Sequence, residues 1–292
     1  MSALWNIASF LFKHPMTQDN RVAAVMRFLQ WQFATWITRF AMVVPFVDDT
    51  VLVIRKSMTG ATGVIYVGLP EPEDMSFALH LLRENDLFGD IGANVGVYSV
   101  LASGVRKAHS VAVEPVEQTA QHLRQNLAIN SLEALVELRQ MGIGSLAGEL
   151  RFTTNEGAEN HVAIDDGPVV TVPVIPLDDL FEKRKPILLK IDVEGFETQV
   201  LLGGKQTLSD PELKAIIIEL NGSGARYGYD DMSVDAQLRN HGFERVSYDF
   251  RTRELRSTPF ESGGNTIYVK DRGFVEERLR TATAFRVLSQ TI

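Results

Sequence analysis

The stretch Leu87-Phe88-Gly89-Asp90-Ile91-Gly92-Ala93-Asn94-Val95-Gly96 begins as a short apolar run, ends that run in an acid, and turns through glycine into a helix. Gly92 and Gly96 let the backbone approach a ligand that a β-carbon would exclude, and Asn94 tolerates the positive φ such turns need. Downstream, the spacing predicts a helix over Val95–Val105, a strand over Ser110–Glu114, a helix over Val116–Asn130 and a third strand over Val136–Leu138. Ile187–Ile191 and Ala215–Leu220 are apolar enough to be central parallel strands, buried on both faces. Strands alternating with helices predict an α/β fold: a doubly wound, mostly parallel, Rossmann-like sheet binding its ligand beyond the strands' carboxyl ends.

Upstream, Asp74–Arg83 reads as a helix with Met75, Ala78, Leu79 and Leu82 on one face. Val51–Ile54 and Gly63–Val67 read as strands joined by a glycine turn. Residues 1–47 differ in composition: they hold all three tryptophans, and Lys13, Arg21, Arg27 and Arg39 against Asp19 alone, a net +3. The expected organisation is an N-terminal helical extension over 1–47, a strand pair and helix over 48–85, a catalytic domain over 86–270 and a C-terminal helix over 271–292. The alternation breaks at about 149–174, where Leu150–Thr153 and Val169–Val172 read as strands flanking the polar stretch Asn155–Gly167. The extension reads as amphipathic helices packed on the main domain; a substrate lid, a homo-oligomer contact and a membrane-surface helix with a basic face are sharper readings.

The 292 residues include no cysteine, which excludes a disulfide scaffold, thiolate metal ligands and a cysteine nucleophile. A net charge of −8 argues against nucleic acid as a partner, since phosphate binding needs a basic face. Met1–Phe12 lacks the basic start and small-residue cleavage pattern of a signal peptide, and no apolar run approaches the ~20 residues that span a bilayer. A cytoplasmic protein is expected, with peripheral membrane contact as the only membrane option.

Glu114 stands 22 residues past Gly92, where a carboxylate can accept both hydroxyls of a ribose. Two nucleoside cofactors share this layout. A nicotinamide site wants G-x-G-x-x-G for its pyrophosphate, yet Asn94 and Val97 stand where glycines are needed, and Asp90 would face the phosphates. S-adenosylmethionine carries no phosphate, and its cationic methionine end suits Asp90.

The second constellation is Leu188-Leu189-Lys190-Ile191-Asp192-Val193-Glu194-Gly195-Phe196-Glu197, a strand running into a helix. Three acids this close would repel one another in one dry pocket, so they are expected to serve different partners, with Lys190 compensating one. Glu197 reads as a solvated helix residue and Glu194 as a helix-start acid favoured by the dipole. Asp192 ends the strand beside the expected reaction site.

These stretches, with Val97-Tyr98-Ser99 and Val113-Glu114-Pro115, resemble the FkbM family of S-adenosylmethionine-dependent methyltransferases, over roughly residues 48–270. Weaker echoes are Tyr66-Val67-Gly68-Leu69, Ile217-Ile218-Glu219-Leu220-Asn221 and Gly264–Val269. Gly89 departs from the bulkier apolar residue expected before Asp90, which should loosen packing. The resemblance implies methyl transfer, usually to a hydroxyl of a sugar or natural product, with a small molecule or glycan as acceptor. It implies that Asp90, Gly92, Asn94 and Gly96, with Ala93 in the same turn, line the methionine end. Glu114 would take the ribose, Met141-Gly142 would lie against the adenine, and Asp192 would close the site.

An in-line displacement benefits from a general base on the acceptor hydroxyl. Asp192 is the preferred base, with Glu194 and His161 as alternatives; His80, in an apolar helix pattern, reads as a core histidine. Asp192, Glu219 and Asn221 offer oxygen ligands that suit Mg²⁺, but strand-end carboxylates are common without a metal, and none is expected to be required. Two rivals stand beside this reading: a non-catalytic cofactor-binding module that recruits a partner, and a nicotinamide-dependent oxidoreductase.

Overall fold

Apolar strands separated by amphipathic helices bury both faces of a sheet, and the computed structural model, which describes residues 2–38, 40–56, 58–154, 159–164 and 167–292, shows how this chain does so. It begins with α1 (Ser2–Lys13) and α2 (Arg21–Ile37), the second capped by the Asn20 side chain, which accepts the Ala23 N–H. A hairpin of β1 (Met42–Pro45) and β2 (Val51–Ile54) leads into α3 (Thr59–Val67) and α4 (Pro72–Leu81). The core then alternates β3 (Leu87–Ile91), α5 (Val97–Ser99, continued by a wider π turn over Val100–Val105), β4 (His109–Val113), α6 (Glu117–Ile129) and β5 (Val136–Arg139). Next come β6 (Gly142–Gly144), β7 (Gly148–Thr153), β8 (Val169–Pro176), α7 (Leu177–Phe181), β9 (Leu188–Ile191), α8 (Glu197–Leu202), α9 (Lys205–Ser209) and β10 (Ala215–Leu220). The chain closes with α10 (Asp231–Asn240), β11 (Glu244–Asp249), β12 (Glu254–Ser257), β13 (Gly264–Val269), α11 (Arg272–Arg280), β14 (Arg286–Val287) and β15 (Gln290–Thr291).

The main sheet has the order β12-β11-β13-β10-β9-β3-β4-β5. The five strands from β10 to β5 are parallel, and β13 inserts antiparallel between β10 and β11. Strand order reverses at β3, which pairs with β4 on one side and β9 on the other; that switch point is where a crevice opens beyond the strand ends. The register there sets Asp90 beside Lys190. No helix among the described residues is long and apolar enough to cross a membrane.

Four expectations need correction. Gly63–Val67 belongs to α3, not to a strand, because burying Val64 and Val67 on one helical face outweighs the β-preference of the Val-Ile-Tyr-Val run. The partner of Val51–Ile54 is therefore Met42–Pro45, a hairpin that straddles residue 47, so the extension expected to be helical over 1–47 is helix only to Ile37 and ends in a strand. The C-terminal helix stops at Arg280; the last residues form the small β14–β15 pair, and Val287 bridges back to Val47. Gly89 does not loosen the sheet, since a β-carbon there would lie 2.5 Å from Leu189 Cδ2 and 2.7 Å from Phe181 Cζ. Neighbouring side chains already fill that space.

Within the insertion, β7 and β8 pair antiparallel, and β6 joins the other side of β8. Of the polar stretch Asn155–Gly167, residues 155–158 and 165–166 lie outside the described residues.

Candidate active site

The turn after β3 hangs on the end of β4: the Gly92 and Ala93 N–H groups both donate to the Val113 carbonyl, at 3.0 and 2.9 Å. Gly92, Asn94 and Gly96 all have positive φ, at 81°, 50° and 85°. A β-carbon on Gly92 would sit 1.8 Å from the Asp192 carbonyl oxygen, so the turn crosses the end of β9 at a separation only glycine allows. Glu114 completes this corner. Its carboxylate accepts the Asn94 N–H on one oxygen and the Val116 N–H on the other, each at 3.0 Å. Burial outweighs those two bonds and pushes the Glu114 carboxyl up to about 7. Asp90 lies beneath the turn, where Ser99 donates to it at 2.6 Å and burial pushes it up to about 6.

Two crevices meet at Gly92, Asn94, Thr119, Asn160 and Asp192. One runs past Glu114 along a wall of Met141, Gly142, Ile143, Phe152, Val162 and Phe196. The other, lined by Asp90, Ala93, Tyr98 and Lys190, reaches Met58, Pro70, Glu71 and Met75 from the segments before the core. All of the residues expected around the cofactor except Gly96 line one crevice or the other; Gly96 packs its bare Cα against Leu123.

The acids after β9 divide differently from expectation. Glu197 is not solvated: it is 4% exposed, and its carboxylate accepts the Val193 and Gly195 N–H groups at 3.1 and 3.2 Å, tying down the turn that precedes α8. Asp192 and Glu194 do not go to separate places. With Glu219 from β10 they form a cluster whose carboxylate oxygens lie within 4.8 Å of one another. Lys190 compensates one of them, donating to Asp192 at 2.9 Å and to Asn265 at 3.1 Å. Burial pulls the Lys190 ammonium down, but Asp192 and Glu71 outweigh it and hold the group above the ordinary lysine range. Glu194 is pushed up to about 7, by burial first and then by Asp192. Glu219 is pushed up to about 8 by burial and by both neighbours, and its Oε2 is buried without a hydrogen-bond partner. Glu194 and Glu219 therefore change protonation near neutral pH. Asn221 is spent locally, its Oδ1 accepting the Ser223 N–H.

Of the histidines, His161 lines neither crevice, with Nδ1 2.9 Å from the Glu159 carbonyl; its neighbours Asn160 and Val162 line one instead. His80 is a core residue, fully buried, with Nδ1 2.6 Å from the Tyr248 hydroxyl, and burial pushes it down to about 3. Sequence reasoning missed Glu71, Asp74 and Tyr98. The Tyr98 hydroxyl donates to Glu71 at 2.6 Å, and Asp74 is pushed up to about 7 by burial and by Glu71. Tyr98 sits in the quoted motif, but Glu71 is the N-cap residue of α4 and Asp74 lies in its first turn, where acids ordinarily serve only the dipole.

A doubly wound sheet with a glycine turn and an amide-held carboxylate at its switch point defines a Rossmann-like nucleoside-binding enzyme class. Residues 90–245, more than half of the chain, match the Methyltransferase FkbM domain, and the chain belongs to that family of methyltransferases. A relative is the hexuronic acid methyltransferase AglP of Haloferax volcanii, 30% identical over 156 residues; the match covers 52% of this chain and 62% of AglP, less than two thirds of that protein's length. Similar solved structures include the precorrin-6y C5,15-methyltransferase of Geobacter metallireducens (16% identity, 68% of this chain and 87% of that chain, TM-score 0.40). Another is Streptococcus pneumoniae Sp1610 in complex with S-adenosyl-L-methionine (12% identity, 68% and 72%, TM-score 0.42).

Proposed function

We propose that this chain is an S-adenosylmethionine-dependent O-methyltransferase whose acceptor is a hydroxyl of a sugar, glycan or natural product. The observation that carries the reading is the corner made by Gly92, Asn94 and Glu114. A carboxylate pinned by two backbone amides beside a glycine cradle suits a ribose diol, and the acids Asp90 and Asp192 nearby suit a cation rather than a pyrophosphate. Met141, Gly142 and Phe152 supply an apolar slot for a flat base. When bound, the cofactor supplies an electrophilic methyl group on a sulfonium.

The chain's own residues then have two tasks. The first is alignment of the acceptor oxygen where the two crevices meet at Asp192, beside Glu194. The second is removal of the hydroxyl proton. Lys190 already engages Asp192, so we assign proton acceptance to Glu194 and Glu219, whose carboxyls exchange protons near neutral pH. Family membership and the sugar named for AglP support a sugar acceptor.

Calorimetry with S-adenosylhomocysteine tests the cofactor: saturable binding at micromolar concentrations is expected, and no heat at millimolar ligand overturns the reading. Transfer of labelled methyl groups from S-adenosylmethionine to a panel of neutral and acidic sugars tests the acceptor. Label entering amines but no hydroxyl would overturn the O-methylation part alone.

A further inference from the structure

The helix α2 buries Ala24, Trp31 and Thr35, and Arg27 anchors it to the body by donating to the Tyr66 carbonyl at 3.0 and 2.6 Å. Its other side is left bare and apolar. Val22, Met26, Leu29, Phe33 and Trp36 are exposed, at 74% for Val22, 62% for Phe33 and 78% for Trp36, with Ile37 beside them and Phe40 just beyond the helix. Their spacing is four, three, four, three, the alternation of a two-helix seam. Phe33 and Trp36 pack together, ring centroids 6.1 Å apart. Together these side chains present on the order of 1,000 Å² of apolar surface, well above the few hundred Å² a monomer ordinarily exposes and about what one partner gives a standard interface.

We propose that this stripe is the seam of a homodimer, in which α2 of one copy packs against α2 of a second copy about a two-fold axis. An isologous interface sets the stripe against a second copy of itself, so fixed charges of one sign on the stripe would repel across it. The stripe carries none: from Val22 to Ile37 the other exposed residues are Gln30 and Gln32. An interfacial membrane helix needs a charged polar face to meet the headgroups, whereas here the opposite face is spent on the protein core. The aromatic pair at one end of the stripe is the kind of anchor that carries most of a protein interface's affinity.

Sedimentation velocity of the full chain at micromolar concentration tests the proposal, and twice the mass of one chain is expected. The double variant F33E/W36E should sediment as a monomer with unchanged circular dichroism, because both side chains are solvent-exposed in the single copy. Because the chain has no cysteine, Leu29→Cys provides a second test that keeps the stripe intact. Mild oxidation should link it to a covalent dimer, while Glu133→Cys, exposed on the main domain, should stay single. A monomeric wild type with no Leu29→Cys cross-link overturns the proposal. So does a monomer that co-sediments with phosphatidylglycerol vesicles, which would assign the stripe to lipid.

Discussion

Glu114 shows how one carboxylate can be both structural and receptive. Two backbone amides fix it, one on each oxygen, and the residue lines the crevice, where each carboxylate oxygen can accept a further hydrogen bond. Glu114→Ala is expected to weaken S-adenosylhomocysteine binding by at least tenfold, in line with the ~1.5–3 kcal/mol of a hydrogen bond to a charged group; calorimetry reads it directly. Glu194 and Glu219 make a different prediction. Burial holds them protonated to about pH 7 and 8, so the proton-accepting form grows as pH rises. The methyl-transfer rate should climb between about pH 6 and 8, and Glu194→Gln should lower it about 100-fold, within the range general-base catalysis contributes. A pH profile of kcat/KM that is flat over this interval would remove both residues from the role. These two acids were visible in the sequence as motif members, but their meeting was not, because Glu219 arrives from a different strand, 25 positions further along the chain.

At the scale of elements, the glycines are the sharpest test. Gly92→Ala combines a positive φ with a β-carbon 1.8 Å from a carbonyl oxygen that belongs to backbone and cannot swing away. Loss of cofactor-product binding is expected even where the circular dichroism spectrum survives. Gly89→Ala sits at ordinary strand φ but collides with Leu189 and Phe181; overpacking of this kind costs about 1–3 kcal/mol, which urea denaturation would measure. The central strands of the core could be located from mostly apolar runs, since parallel strands buried on both faces are apolar at most positions. The run at 63–67 was misleading for the same reason in reverse: an apolar pentapeptide fits a buried helix face as well as a strand.

For the whole molecule, buried acids dominate the response to pH. Asp90, Glu114, Glu197 and Glu219 are held at about 6, 7, 7 and 8, above their unfolded values, so the folded state binds protons that the unfolded state releases. Their contribution to stability is present below about pH 4 and is lost as pH rises through 6–8. The melting temperature should therefore fall between pH 5 and pH 8, as a series of calorimetric scans would show. The N-terminal hairpin is joined to the core by Asn126, which accepts the Val53 N–H at 2.7 Å and donates to the Val95 carbonyl at 2.8 Å.

The sequence by itself determined the class: an apolar strand ending in Asp90, the glycine turn and Glu114 are local patterns, set by backbone geometry and a fixed spacing. The resemblance to its family rests on the same short segments. Only the tertiary structure decided which acids share a pocket, that Glu197 turns inward to hold backbone amides, and that the Tyr98 hydroxyl meets Glu71 along one crevice. Those outcomes depend on strand order and on packing between distant segments, and no short-range pattern in a chain encodes either.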